Sequence, residues 1–265
     1  MADAHPPART GDIVAGHDDW DAHWDAYARA AEQNPAQRYR RKVVMALLAS
    51  HGTPQRLIDI GSGQGDLLRA AARRWPTASL LGLEMSERGN EIAREKVPAA
   101  VFLRVDLTGD APDPGRFAAW ATHAVCSEVL EHVDDPSAVL RAARAYLAPG
   151  AWIVVTVPGG PMSAFDRTIG HRRHFSRSDL AAVFAAAGVE THQVSGAGFP
   201  FFNLYRKLVI ARGAALGDEI AARSGAPTFA ARAAMIGFRP LLALTLSSSP
   251  WGTQIVGVAT EPLAV

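Results

Sequence analysis

A chain of 265 residues, 48% hydrophobic and 20% charged, can bury one full core, and its formal net charge of +1 gives no global attraction to nucleic acid or an anionic membrane. The single cysteine, Cys126, excludes an internal disulfide framework and a cysteine-based zinc site. No uncharged apolar run is long enough to cross a bilayer, and Met1-Ala-Asp-Ala-His-Pro-Pro lacks the basic and apolar regions of a secretory leader, so a cytoplasmic protein is expected.

Residues 1–16 are polar, carry Pro6 and Pro7, and read as a disordered tail ahead of a single domain over 17–265. The domain opens with N-terminal helices over 17–50. Asp19 to Ala31 repeats Trp20, Trp24, Tyr27 and Ala28 at three- and four-residue spacing, and Pro35 restarts a second helix, Ala36 to Ser50. From 55 to 198 strands and helices alternate, which predicts an α/β fold with a largely parallel sheet and helices on both faces. The strands read as Arg56 to Ile60, Ser79 to Glu84, Val101 to Val105, His123 to Ser127, Trp152 to Val157 and Val189 to Val194. The helices between them read as Asp66 to Trp75, Glu87 to Lys96, Pro136 to Leu147 closed by a Pro149-Gly150 turn, and Ser178 to Ala187 stopped by Gly188. Residues 199–249 form an apolar helical insertion in two pieces, split around Ser224 to Pro227. Gln254 to Thr260 supplies a last strand within 250–265.

The run Leu57-Ile58-Asp59-Ile60-Gly61-Ser62-Gly63-Gln64-Gly65-Asp66 is an apolar strand that ends in an acid and breaks into three alternating glycines before a helix. Glycines there permit positive φ and let a ligand lie against the backbone. A diphosphate cradle would prefer G-x-G-x-x-G, whereas here the third glycine falls one residue early and Asp66 takes its place. Asp59 and Asp66 would repel a diphosphate and suit a cofactor with positive groups, such as the ammonium and sulfonium of S-adenosylmethionine. Two further strand-end acids, Glu84 and Asp106, join Asp59 on the carboxyl edge of the sheet, where open α/β sheets bind ligands.

On these residues, together with Cys126-Ser127-Glu128-Val129-Leu130-Glu131-His132-Val133 after the fourth strand, the chain resembles the class I S-adenosylmethionine-dependent methyltransferases from about Gln55 to Val194 plus the last strand. The run after the fourth strand and Asn34-Pro35 resemble the small-molecule O-methyltransferases of ubiquinone biosynthesis. The resemblance implies a Rossmann-like seven-stranded methyltransferase sheet, mostly parallel with an antiparallel last strand. It also implies roles: Glu84 on the ribose hydroxyls, Met85 on the adenine face, Asp106 and the Leu107 N–H on the adenine edge. The backbone near Gly61, Ser62, Gly63, Gly65, Cys126 and Ser127 would wrap the amino-acid end, with Arg38 on its carboxylate.

Glu128, Glu131 and His132 stand at i, i+3 and i+4, and on a helix those side chains share one face. Two carboxylates with an imidazole suit a divalent metal such as Mg²⁺, Mn²⁺ or Zn²⁺, and His171 or His174 in the loop after the fifth strand can complete the set. The arrangement is similar to the E-x-x-E-H plus distant histidine of small-RNA 2′-O-methyltransferases. Such an ion would orient a vicinal diol or catechol and ease loss of the hydroxyl proton. The same glutamates and histidine could instead only hold a helix start and wall a pocket, leaving His132, His171 or His174 as general base.

The expected acceptor is a small hydroxylated molecule: a sugar diol, a catechol or a polyketide-like hydroxyl. Metal-free N- or C-methylation and RNA 2′-O-methylation are the alternatives, the latter disfavoured by the near-neutral charge. Arg172, Arg173 and Arg177 form a local positive cluster that suits an anionic acceptor or a solvated loop. The apolar insertion suits a lid, a homodimer surface or an enlarged core, and its few lysines give little support to a membrane contact.

Overall fold

A computed structural model describes residues 19–25, 34–109, 112–212, 236–238 and 240–263. The expected tail over 1–16, the second half of the first helix and the break around Ser224 to Pro227 lie outside the described residues.

Four parallel neighbours, β1 (Arg56–Ile60), β2 (Ser79–Glu84), β3 (Val101–Arg104) and β4 (Ala121–Ser127), open the sheet. Their residues are apolar on both faces because helices cover both faces. β5 (Leu147–Pro158) continues in parallel, and β7 (Gln254–Thr260) lies antiparallel between it and β6 (Glu190–Ala197). The resulting seven-stranded order is β3-β2-β1-β4-β5-β7-β6, as expected for a mostly parallel sheet with an antiparallel last strand. The chain runs outward from β1 to β2 and β3, then crosses to β4 on the other side. That reversal opens a crevice at the carboxyl ends of β1 and β4.

Local signals set the helices. Segment 20–25 is helical and is labelled α1. In α2 (Pro35–Ser50) the Asn34 side chain accepts from the Ala36 N–H at 2.9 Å and Pro35 opens the first turn. Ser86 caps α4 (Glu87–Lys96), Asp135 caps α5 (Pro136–Ala143), and Ser176 with Asp179 forms a capping box on α7 (Arg177–Ala187), which stops at left-handed Gly188. Leu57 faces α2, α3 (Asp66–Arg74) and α4, packing with Leu48, Leu68 and Ala93, whereas Ile58 and Ile60 face α5 and α7 with Leu140, Leu180 and Phe184. This is the two-residue alternation of a strand buried on both sides.

The region after α5 departs from the sequence expectation. The helix read as Pro136 to Leu147 ends at Ala143, tightens into a 3₁₀ turn over Arg144–Tyr146, and Leu147 already pairs with Ala121 of β4. Pro149-Gly150 therefore does not close a helix. It bulges inside β5: the next register pair is His123 with Trp152, and Gly150 takes φ 77° in the extra loop of chain. β6 also reaches three residues beyond the expected Val194, because its pairing with β7 continues to Ala197 and Gln254.

The insertion begins with α6 (Ala164–Thr168) already behind it and contributes α8 (Phe201–Arg212). Phe202 is buried against Tyr39 and Val43 of α2, Val256 of β7 and Leu242, worth about 2–3 kcal/mol of apolar burial. The Tyr39 hydroxyl donates to the Leu246 carbonyl at 2.7 Å, so α2 and the insertion are tied together. The inner face of α8 is thus buried against α2 and β7. No described helix is long and apolar enough to cross a membrane.

Candidate active site

The strand-end acids and the glycine turn assemble at the crevice. Gly61 and Ser62 both donate backbone N–H bonds to the Leu83 carbonyl, at 2.8 and 2.9 Å, which folds the turn onto the end of β2. Gly61 has φ 72°, and a Cβ there would come within 2.4 Å of Val129 Cγ2, so glycine is required on both counts. Gly65, also at positive φ, starts α3. Glu84 is buried at the end of β2; its Oε2 accepts from the Gly63 N–H at 2.8 Å and its Oε1 from the Ser86 N–H at 2.9 Å. Burial raises the Glu84 pKa, against the pull of those backbone donors. Burial, and then the charge of Glu84, push Asp59 well above the ordinary carboxylate range. Two acids held close in a water-poor site favour an incoming cation.

A cavity of about 330 Å³ opens here, lined by Gly61, Glu84, Met85, Asp106, Leu107 and Val129 among others. Of the residues expected to hold a cofactor, Gly61, Glu84, Met85, Asp106 and Leu107 line the cavity, with the buried Asp59, Ser62, Gly63 and Gly65 around them. Cys126 is fully buried in β4, and Ser127 Oγ lies 2.8 Å from Thr156 Oγ1, outside the cavity lining. Arg38 is exposed on α2 and does not line the cavity, which corrects its assignment to a cofactor carboxylate. The inward residue is Arg40, two positions on and therefore on the opposite side of the helix.

Glu128 does not share a helical face with Glu131 and His132. It adopts φ 59° at the end of β4, and only Leu130–His132 form a single 3₁₀ turn after it. Its carboxylate pairs instead with Arg40 Nη2 at 2.9 Å and accepts from Gln254 Nε2 at 2.7 Å. The left-handed backbone aims it back across β5 and β7, and the expected three-ligand face loses one member.

The remaining expected ligands do converge. Glu131 is completely buried, and neither of its carboxylate oxygens has a hydrogen-bond partner among the described residues. His132 Nε2 lies 3.9 Å from Glu131 Oε1 and His171 Nε2 lies 4.0 Å from it. The His132 Nδ1 is 3.1 Å from the Gly170 carbonyl, which can only accept, so Nδ1 carries the proton and Nε2 presents a lone pair toward the carboxylate. Burial holds the His132 pKa down to about 4 and the His171 pKa to about 2, so both rings are neutral. Burial, and then the charge of Glu128, raise the Glu131 pKa well above its usual range. One ligand atom from each of Glu131, His132 and His171 falls within 4.8 Å of the others.

A second triad, Asp166, His171 and His174, meets the same distance limit. There, however, Arg206 Nη2 of α8 stands 3.3 Å from Asp166 Oδ2 and 3.2 Å from His174 Nδ1, placing a positive charge among the donors. His171 Nδ1 and His174 Nε2 are 3.0 Å apart, so the two triads are linked through His171. The arginine loop is less available than its charge suggested. Arg172 pairs with Asp134 at 2.5 Å and Arg173 donates to the Asp134 carbonyl at 2.8 Å.

Sequence reading missed Arg40, Asp166, Arg206, Trp20 and Trp24 as members of this site. Arg206 carried a usable signal, since it stands four residues after the innermost aromatic of α8, Phe202, and so on the same helical face. Asp166, three residues after Ser163, closes a capping box on α6 and on its own announced only a helix start.

A family model described as a methyltransferase domain matches residues 27–194. Trans-aconitate 2-methyltransferase of Rhodococcus jostii is 33% identical over 140 residues, covering 52% of this chain and 52% of the relative. Ubiquinone biosynthesis O-methyltransferase of Pseudomonas aeruginosa is 29% identical over 162 residues, covering 54% and 67%. The chain spans about half the length of the first of these and two thirds of the second. In three dimensions it is similar to a SAM-dependent methyltransferase of Thermotoga maritima, with a TM-score of 0.57, 17% identity and coverage of 91% of this chain and 97% of that one, a likeness of fold. With a matching domain model over well more than half its length, a seven-stranded sheet in the expected order and the strand-end acids in place, this chain belongs to the methyltransferase domain family.

Proposed function

We propose that this protein transfers a methyl group from S-adenosylmethionine to an oxygen of a small hydroxylated acceptor, with a divalent cation held by Glu131, His132 and His171. The observation that carries the oxygen chemistry is the Glu131 carboxylate, buried without a partner and faced by two imidazole nitrogens. A carboxylate opposite lone pairs is repulsive unless a proton or a cation lies between them. The donor set, one carboxylate oxygen and two imidazole nitrogens, fits a borderline divalent ion such as Mn²⁺ or Zn²⁺. The Gly170 carbonyl fixes the His132 tautomer as an outer partner of a metal-binding histidine does. The likeness to a ubiquinone biosynthesis O-methyltransferase and to a trans-aconitate 2-methyltransferase supports a small acceptor.

When bound, the cofactor supplies an electrophilic methyl on a sulfonium, and the ion supplies charge that favours the ionised acceptor oxygen. The chain's own part is positioning. Gly61 and Gly63 let the turn close against Val129 and Trp24, Glu84 accepts hydroxyls, and buried Asp59 favours positive charge. The new bond is from acceptor oxygen to methyl carbon and the broken one from sulfur to that carbon, leaving the thioether as product. The hydroxyl proton would leave to water as the ion's charge favours the ionised oxygen, since the Nε2 lone pairs of His132 and His171 would be taken up in holding that ion. A metal-free version has one observation in its favour: the 3.0 Å contact of His171 with His174 would pass a proton onward, toward Asp166.

Chelation to exhaustion, followed by readdition of Mn²⁺, Zn²⁺ or Mg²⁺, with thioether release measured over catechols, vicinal diols and carboxylates, tests the reading. Activity fully kept after chelation and in Glu131→Ala removes the cation. Products methylated only on nitrogen or carbon overturn the oxygen chemistry, and turnover on RNA with steep salt dependence moves the acceptor to nucleic acid.

A further inference from the structure

Trp24 of α1 lies where two glycines leave room for it. A Cβ at Gly63 would come within 2.6 Å of its Cζ2, and a Cβ at Gly89 within 3.0 Å of its Nε1. Gly63 has φ 50°, which selects glycine whatever the space. Gly89 is different: it sits inside α4 without positive φ, where glycine is the poorest helix former after proline. What a side chain at 89 would meet first is the Trp24 indole, then Glu84 Cγ at 3.2 Å. The helix therefore gives up propensity at a position where a Cβ would crowd the indole first and Glu84 next.

Segment 19–25 is latched to the same junction. Asp21 Oδ1 accepts from Ser86 Oγ at 2.5 Å and from the Arg88 N–H at 3.1 Å, and Asp25 pairs with Arg88 at 2.8 Å. Trp20 sets its ring edge-on to His132 with centroids 4.8 Å apart. Trp20 and Trp24 line the cavity, which keeps about 330 Å³ with both in place, within the range of enclosed small-molecule sites. The Trp24 Nε1 is buried with no acceptor among the described residues, next to the acid that faces the ribose end.

We infer that segment 19–25 is a lid over the cofactor cleft, with Trp24 as its docking residue and Gly89 as its seat, so that cofactor exchange requires the indole to undock. The inference rests on the S-adenosylmethionine reading and adds to it a positioning residue and an exit route. Asp21 and Asp25 hold the lid on α4, and the unpartnered indole N–H is a donor for a ligand oxygen at the ribose end.

Release of labelled S-adenosylhomocysteine into excess unlabelled ligand, with calorimetric affinity alongside, tests it. Trp24→Ala and Gly89→Ala are each expected to speed release by about tenfold, equivalent to ~1.4 kcal/mol. Gly89→Ala should do so without lowering the unfolding midpoint of the ligand-free protein. In a Trp24→Ala background Gly89→Ala should add nothing, since its effect acts through the indole. Trp24→Phe, which keeps a ring in the seat, should release more slowly than Trp24→Ala. Binding by the wild-type protein with unchanged release in Trp24→Ala, or a Gly89→Ala effect that persists without Trp24, overturns the lid alone. Absence of binding by the wild-type protein overturns the cofactor reading and the lid with it.

Discussion

Arg40 Nη2 of α2 lies 2.9 Å from Glu128 Oε2 at the end of β4, and this ion pair takes Glu128 out of the cluster that its sequence spacing placed it in. Both side chains are only 12% exposed, and Gln254 serves the two together, donating to Glu128 and accepting from Arg40 Nε at 2.8 Å. The pair therefore joins α2, β4 and β7 beneath the insertion. Replacing Glu128 by alanine would strand a nearly buried guanidinium, and a loss of about 3 kcal/mol in urea unfolding is expected. The same variant should retain divalent-ion affinity in calorimetry; a parallel loss of both would return Glu128 to the ligand set.

Glu131 should behave in the opposite way. Glu131→Gln replaces a partnerless buried carboxylate with an amide that can donate to the His132 or His171 lone pair, so the ion-free protein should gain about 1 kcal/mol. Its Mn²⁺ or Zn²⁺ affinity should fall by at least tenfold. Unfolding with and without added ion separates the two effects, and an ion affinity equal to wild type excludes Glu131 as a ligand.

Asp59 carries a pH signature. Its folded pKa is raised well above the ordinary 3.8, chiefly by burial, so the folded state holds a proton that the unfolded state has lost. That contribution is fully present below the unfolded value and is lost as pH rises through the folded one. Asp59→Asn does not titrate, so its stability relative to wild type should climb with pH above about 4, with a slope approaching 1.4 kcal/mol per pH unit. The same variant should bind the sulfonium cofactor more weakly than wild type. A flat stability difference from about pH 4 to 8 would show that Asp59 is ionised in the empty protein.

Glu84→Gln leaves one acceptor oxygen where two backbone donors, Gly63 and Ser86, are now served. A loss of about 1 kcal/mol in stability and of tenfold or more in S-adenosylhomocysteine affinity is expected. If affinity is unchanged by calorimetry, Glu84 holds only the turn and does not bind a ligand.

The fold was legible to the extent that its signals were local. Strand-end Asp59, Glu84 and Asp106 and the glycines from Gly61 to Gly65 lie within or next to single strands, and a parallel sheet carries all such ends to one edge. Caps at Asn34, Ser86, Asp135 and Ser176 act over three residues and were likewise open to sequence reading. The Pro149-Gly150 pair misled because a proline-glycine step serves a bulge as readily as a helix stop, and only pairing with β4 distinguishes them.

The linear order of residues determined that this chain makes a cofactor cradle suited to positive charge, since the turn and its acids are consecutive or strand-terminal. The tertiary structure decided which acid faces what. A left-handed residue at 128 sends one glutamate to Arg40, while the next 3₁₀ turn leaves Glu131 alone between His132 and His171. It also brought Arg206 to Asp166 from 40 residues away and seated Trp24 on Gly63 and Gly89. Such contacts depend on backbone φ at one position and on packing between distant elements, and neither has a period or spacing that a sequence alone displays.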